Sequence, residues 1–160
     1  MPHRFEIRPA KRPDAAPIAH MSRELIEQGL PGWAWTPARV ARALADRETL
    51  GIVADRGGEL AGFAVMAFGC DQAFLQLLAV GPRHRRRGLG RRLIVWLEEC
   101  ALVAGTPFVY LEVRAGNEAA QAFYRRLGYR VVGRLPGYYA GREAALRMGR
   151  DLWADASASA

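Results

Sequence analysis

The sequence predicts a single-domain α/β fold, a mixed and mostly antiparallel sheet with helices on both faces. Three observations point there. Segments with strand alternation and segments with helical spacing interleave from Phe5 to Leu152. Asp55-Arg56-Gly57-Gly58 joins two apolar runs in the manner of a hairpin turn. An apolar strand, an arginine–glycine turn and a long amphipathic helix follow one another between Phe74 and Ala104.

In chain order, Phe5-Glu6-Ile7-Arg8 alternates and reads as a first strand. Pro13-Asp14 opens a helical stretch in which Ile18, Met21, Leu25 and Ile26 recur at helical spacing. Gly29 to Trp35 is a loop. Thr36-Pro37 starts a second helix, threonine as cap and proline in the first turn, with Val40, Ala43 and Leu44 as the buried stripe. Strands follow at Thr49 to Ala54, Glu59 to Phe68 and Phe74 to Val80. After a Gly81-Pro82 break, Leu89, Leu93 and Leu97 mark one face of a helix that runs to about Ala104. Gly105-Thr106-Pro107 ends it, and Phe108 to Arg114 is the next strand. Asn117 caps a helix through Leu127 that Gly128 stops, and Tyr129 to Arg134 and Ala144 to Leu152 close the fold. The Ala-Ser repeat predicts a disordered tail over 153–160, leaving 1–152 as the domain.

Composition narrows the function classes. A chain of 160 residues suits one core, and its charge of +7 is carried almost wholly by arginine, since Lys11 is the one lysine. Six arginines fall between Arg83 and Arg92, so the positive field is concentrated. Cys70 and Cys100 lack disulfide-framework or zinc spacing, and no metal site is expected. The start carries no apolar core of signal-peptide length, and no apolar run approaches the roughly 20 residues of a membrane span. A cytoplasmic protein with no membrane partner is expected, and a homodimer is left open.

The run Arg85-Arg86-Arg87-Gly88-Leu89-Gly90-Arg91-Arg92 sits between strand and helix. Free backbone N–H groups at a helix start, close-approach glycines and clustered arginines make an anion site, suited to a phosphate or pyrophosphate. A dinucleotide fingerprint is excluded, because its third glycine would be Leu93. No Gly-Lys-Ser/Thr occurs either. The competing readings are a merely solvated turn and a nucleic-acid surface. The second is disfavoured, because the arginines are interleaved with glycines and no aromatic stacking platform accompanies them.

Arg85-x-x-Gly88-x-Gly90 between a strand and a long helix resembles the GNAT superfamily of N-acetyltransferases. The segment Leu111-Glu112-Val113-Arg114-Ala115-Gly116-Asn117, then Ala119-Ala120, Phe123-Tyr124 and Leu127-Gly128-Tyr129, resembles its RimI-like ribosomal-protein-alanine N-acetyltransferase branch. Tyr138-Tyr139 and Trp35-Thr36 match that branch too.

The resemblance implies a splayed central pair of parallel strands, Phe74 to Val80 and Phe108 to Arg114, that admits acetyl-CoA. Leu78, Ala79 and Val80 would offer strand backbone to the pantetheine arm. Arg85, Arg86, Arg87, Gly88, Leu89, Gly90 and Arg91 would wrap the pyrophosphate, and Asn117 would contact the cofactor. Glu112 would be the general base and Tyr124 the general acid. The implied activity is direct acetyl transfer from acetyl-CoA, in a ternary complex, to a primary amine of a protein N-terminus. Its alternatives are a small-amine acetyltransferase, a non-catalytic acyl-CoA-binding regulator and a nucleic-acid-binding module. The departures, Leu77, Gly116, Ala144 and a short 140–144 segment, concern the acceptor side and not the cofactor loop.

The chemistry wants such a pair independently, since an attacking amine loses a proton and a departing thiolate gains one. Glu112 interrupts an apolar strand, on the face opposite Val109, Leu111 and Val113, where partial burial favours a usable base. The structural alternative is a carboxylate paired with Arg114 or Arg125. Tyr124 is otherwise a core-edge aromatic, and Asn117 a plain helix cap. His20 and His84 read as surface residues. Trp33, Trp35, Tyr138 and Tyr139 suit either a peptide groove or ordinary packing.

Overall fold

The computed structural model describes residues 4–158. They fall into two compact units: one holds the chain up to Ala67 with Gln76–Leu97, the other Phe68–Leu75 and the chain from Glu98 onward.

In the first unit the strands are β1 (Glu6–Pro9), β2 (Thr49–Arg56), β3 (Glu59–Phe68) and the end of β4 (Gln72–Val80), in that spatial order. β1 pairs antiparallel with β2 from Glu6↔Asp55 to Pro9↔Ile52. Pro9 is tolerated there because β1 is an edge. The β2–β3 hairpin turns as expected: Gly57 and Gly58 take φ of 60 and 90°, and the Gly58 N–H donates to Asp55 Oδ1 at 2.7 Å. Helices α1 (Ala15–Leu25) and α2 (Pro37–Ala45) supply the apolar cover. Thr36 Oγ1 accepts the Arg39 N–H at 3.3 Å, the cap its sequence promises. Ile18, Ala19 and Val40 bury against Val53, Phe63, Val65 and Leu77. Gly62 has no room for a side chain, since a Cβ would stand 2.9 Å from the Ala79 carbonyl oxygen. The Leu89–Leu97 part of helix α3 (Leu89–Ala104) buries Leu89, Leu93 and Leu97, the expected stripe, and Ile94 besides.

In the second unit the order is the start of β4, then β5 (Phe108–Arg114), β7 (Glu143–Asp151) and β6 (Arg130–Tyr139), with α4 (Glu118–Arg126) between β5 and β6. β4 and β5 are parallel from Gln72↔Phe108 to Leu75↔Leu111. β5 continues past that register to Arg114, paired throughout with β7. β6 is longer than the pattern suggests, reaching Tyr139 through a register shift between Leu135 and Tyr139 that accommodates Pro136 and Gly137.

The expectation of a disordered tail from residue 153 is corrected, because Leu152–Ala158 forms helix α5. Asp151 Oδ1 accepts the N–H groups of Trp153 and Ala154 at 3.0 and 3.1 Å, Leu152 is buried, and alanine is the best helix former. Residues 159 and 160 of that expected tail lie outside the described residues. No helix among the described residues is long and apolar enough to cross a membrane.

Candidate active site

In the first unit β4 ends in half-buried Leu78, buried Ala79 and half-buried Val80. Gly81 then leads into a single 3-10 turn, Pro82–His84. This turn corrects the surface expectation for His84, which is buried with its ring edge-on to Phe5 at 5.5 Å. His84 Nε2 stands 3.5 Å from Glu59 Oε1, and neither ring nitrogen makes a hydrogen bond. His20 is exposed, as its sequence setting suggests.

Past His84 the loop comes out into solvent. Arg85, Arg86, Arg87, Gly88, Arg91 and Arg92 are exposed and Gly90 is half-buried. Arg85 folds back to donate from Nε to the Val80 carbonyl at 3.2 Å. Arg86 and Gly88 both hold left-handed backbone, at φ of 64 and 73°. Two left-handed residues two positions apart turn the loop backbone sharply just before the helix. A Cβ on Gly88 would meet nothing within 4 Å, so the space above this backbone is open. Within the helix, the Arg92 N–H closes the first turn onto the Gly88 carbonyl at 3.1 Å. The amides of Leu89, Gly90 and Arg91 precede that bond and belong to the helix end, where intrahelical acceptors run out. Leu89 sends its side chain into the core, so only its backbone serves the loop. Open amides, left-handed turns and exposed guanidinium groups together fit a pyrophosphate.

The second unit carries the titratable residues. Glu112 lies mid-strand in β5, with its side chain only 7% exposed. The arginine partner foreseen as Arg114 or Arg125 is instead Arg147, directly opposite in the β5–β7 register, whose Nη2 donates to Glu112 Oε1 at 2.7 Å. Sequence reasoning missed Arg147 because strand register, not chain proximity, brings it there. The other carboxylate oxygen, Oε2, is buried and accepts no hydrogen bond within the protein.

Tyr124 sits half-buried on α4, edge-on to Phe123 at 5.1 Å and to Tyr129 at 5.8 Å. Burial, reinforced by nearby Tyr139, pushes its phenol well above the ordinary tyrosine range. The hydroxyl therefore stays protonated at working pH. Burial likewise pushes Tyr139 up to about 12, with Tyr138 and Glu112 adding to it. Tyr139 is thus a second phenol in the electrostatic company of Glu112.

Asn117 is exposed and caps α4, its Oδ1 accepting the Ala120 N–H at 3.1 Å. The β5–α4 turn owes its shape to a residue sequence reading passed over. Gln121 is buried and donates from Nε2 to the carbonyls of Arg114 and Ala115 at 3.2 and 2.9 Å. No cluster of three or more metal-ligating side chains occurs among the described residues.

The model of the acetyltransferase (GNAT) family matches residues 18–129. The chain is 37% identical over 132 residues to the N-alpha-acetyltransferase RimI of Mycobacterium tuberculosis, covering 80% of each protein. It is 35% identical over 126 residues to the ribosomal protein bS18-alanine N-acetyltransferase of Escherichia coli, covering 77% of this chain and 84% of that one. The crystal structure of the ribosomal-protein-S18-alanine N-acetyltransferase from Escherichia coli superposes with a TM-score of 0.78 at 30% identity, over 92% of this chain and 94% of the other.

Proposed function

We propose, from the premise that the chain belongs to the acetyltransferase (GNAT) family and is an acetyl-CoA-dependent N-acetyltransferase, that its acceptor is the N-terminal amine of a protein. The acceptor class is supported by relatives at 35 and 37% identity, whose names specify Nα- or alanine N-acetylation. The observation that carries the chemical reading is Glu112, a buried carboxylate with one oxygen engaged by Arg147 and the other free to accept.

Bound acetyl-CoA supplies a thioester whose carbonyl carbon an amine attacks, forming the C–N bond as the C–S bond breaks. Backbone N–H groups from Arg86 to Arg91 would hold its pyrophosphate, with the arginine side chains adding charge. The strand end Leu78–Val80 would offer backbone to the pantetheine arm, and Asn117, whose oxygen caps α4, would have its amide N–H groups left to donate to the cofactor. Glu112 Oε2, itself buried, takes the proton lost by the amine nitrogen by way of an intervening water. Tyr124 would give its hydroxyl proton to the departing coenzyme A sulfur and be reprotonated from solvent, to which Glu112 returns the proton it took. Base and acid are thus separate groups, and the amine attacks directly without an acyl-enzyme.

A panel of amino-terminal peptides, free amino acids, polyamines and aminoglycosides with acetyl-CoA, read as free thiol, tests the acceptor class. The highest kcat/KM falls on a peptide. A small amine with the highest value overturns the protein N-terminus as acceptor. Thermal stabilisation by coenzyme A without turnover of any amine points to a non-catalytic binder instead.

A further inference from the structure

Arg147 gives Glu112 one hydrogen bond where a guanidinium fork and a carboxylate can make two. Both partners are left half-used. Glu112 Oε2 is buried and accepts nothing within the protein, and Arg147 Nε is buried and donates nothing. Tyr110 accounts for this geometry. It lies two residues before Glu112, on the same face of β5, with its ring 5.0 Å from the guanidinium carbon of Arg147. Tyr110 is itself held by stacking on Phe74 at 4.8 Å. With the guanidinium seated over that ring, one N–H reaches Oε1. The carboxylate is the inner member of the pair, 7% exposed against 43% for Arg147.

We infer that Arg147 is a positioning residue for the acceptor amine: it occupies one oxygen of Glu112, leaves Oε2 as the single proton acceptor, and cancels the negative field that would hold the arriving amine as ammonium. This rests on the proposed role of Glu112 as base. An ammonium has no lone pair for attack, and a lone buried carboxylate stabilises that unreactive form. A cation on Oε1 removes the stabilisation while leaving Oε2 unengaged. The proton then passes from the amine nitrogen by way of the intervening water to Oε2, and the nitrogen lone pair forms the new C–N bond.

The pH dependence of kcat at saturating acetyl-CoA and amino-terminal peptide tests this, because its acidic limb reports groups in the ternary complex. In Arg147→Gln the limb moves to higher pH by roughly one unit, the size expected for losing a neighbouring charge. The KM for acetyl-CoA stays at the wild-type value. Arg147→Lys, which keeps the charge, returns the limb to the wild-type position. Arg147→Met, which keeps an apolar stem over Tyr110, replaces the glutamine variant if that fails to fold. A limb that stays in place when the charge is removed, or that lysine does not restore, overturns the inference. If wild-type enzyme turns over a small amine and no peptide, the acceptor proposal fails instead, and the same profile on that amine still decides the role of Arg147.

Discussion

Tyr129 donates its hydroxyl hydrogen to Glu98 Oε2 at 2.9 Å, and Arg150 Nη1 donates to the same oxygen at 3.0 Å. Arg150 reaches on from Nε to Asp155 at 2.6 Å, so one buried carboxylate ties α3, the turn after α4, β7 and α5 together. Burial pushes the Glu98 carboxyl above its ordinary range, against the opposing pull of Arg150 and Tyr129. Tyr129→Phe removes one donor and keeps the ring. It lowers unfolding stability by about 1–3 kcal/mol in urea titrations, and because the cluster contains none of the proposed catalytic groups, kcat at 25 °C stays near wild type.

Alkaline pH loosens the fold through the buried phenols. Tyr124, Tyr129 and Tyr139 all have pKa values raised by burial, Tyr139 to about 12. A raised folded-state value means the native state holds its proton longer than the unfolded chain, whose tyrosines titrate near ~10. The stabilisation is complete below that pH and is lost as pH rises toward 12. Thermal melts at pH 8 to 11.5 show Tm falling most steeply above pH 10, and Tyr139→Phe flattens that fall.

Backbone counts for more than side chains in the phosphate loop. Gly88 sits at φ 73° with open space above it, so Gly88→Ala meets conformational strain and no clash. The cost is about 1 kcal/mol in stability, or roughly fivefold in coenzyme A affinity where the strain is released by moving the amides. Arg86 holds similar backbone, at φ 64°, so Arg86→Gly relieves strain while removing a charge. Calorimetric titration with coenzyme A finds the larger loss in Gly88→Ala.

Asn117 separates two duties. Its oxygen caps α4, which Asn117→Asp preserves and Asn117→Ala does not. The alanine variant loses about 1 kcal/mol of stability. Both variants lose the side-chain amide donors and therefore raise the KM for acetyl-CoA. An aspartate variant with unchanged KM means that the cap is the whole role of Asn117.

The sequence made legible what local chemistry decides. Pro107 and Gly116 bracket β5, and its bounds Phe108–Arg114 are those the pattern predicts. Thr36 and Asn117 cap the helices they precede. Pairings made across the sheet were out of reach: Arg147 meets Glu112 only because β7 runs antiparallel to β5 in one register, 35 residues along the chain. Gln121 looked like any polar helix residue until its two carbonyl acceptors were visible. His84 followed an exposed arginine pattern, yet a three-residue turn carries it inward to Phe5. The low-complexity tail hid a helix because its cap, Asp151, lies in the preceding strand.

The most direct measurement uses a peptide with a free α-amine and one internal lysine, incubated with acetyl-CoA and the wild-type, Glu112→Gln or Tyr124→Phe enzyme. Mass-spectrometric fragmentation locates the acetyl group while thiol release gives the rate. Wild-type enzyme places the acetyl group on the α-amine alone, and each variant slows that transfer by roughly 10²-fold or more. Acetyl on the lysine, or variants as fast as wild type, contradicts the account.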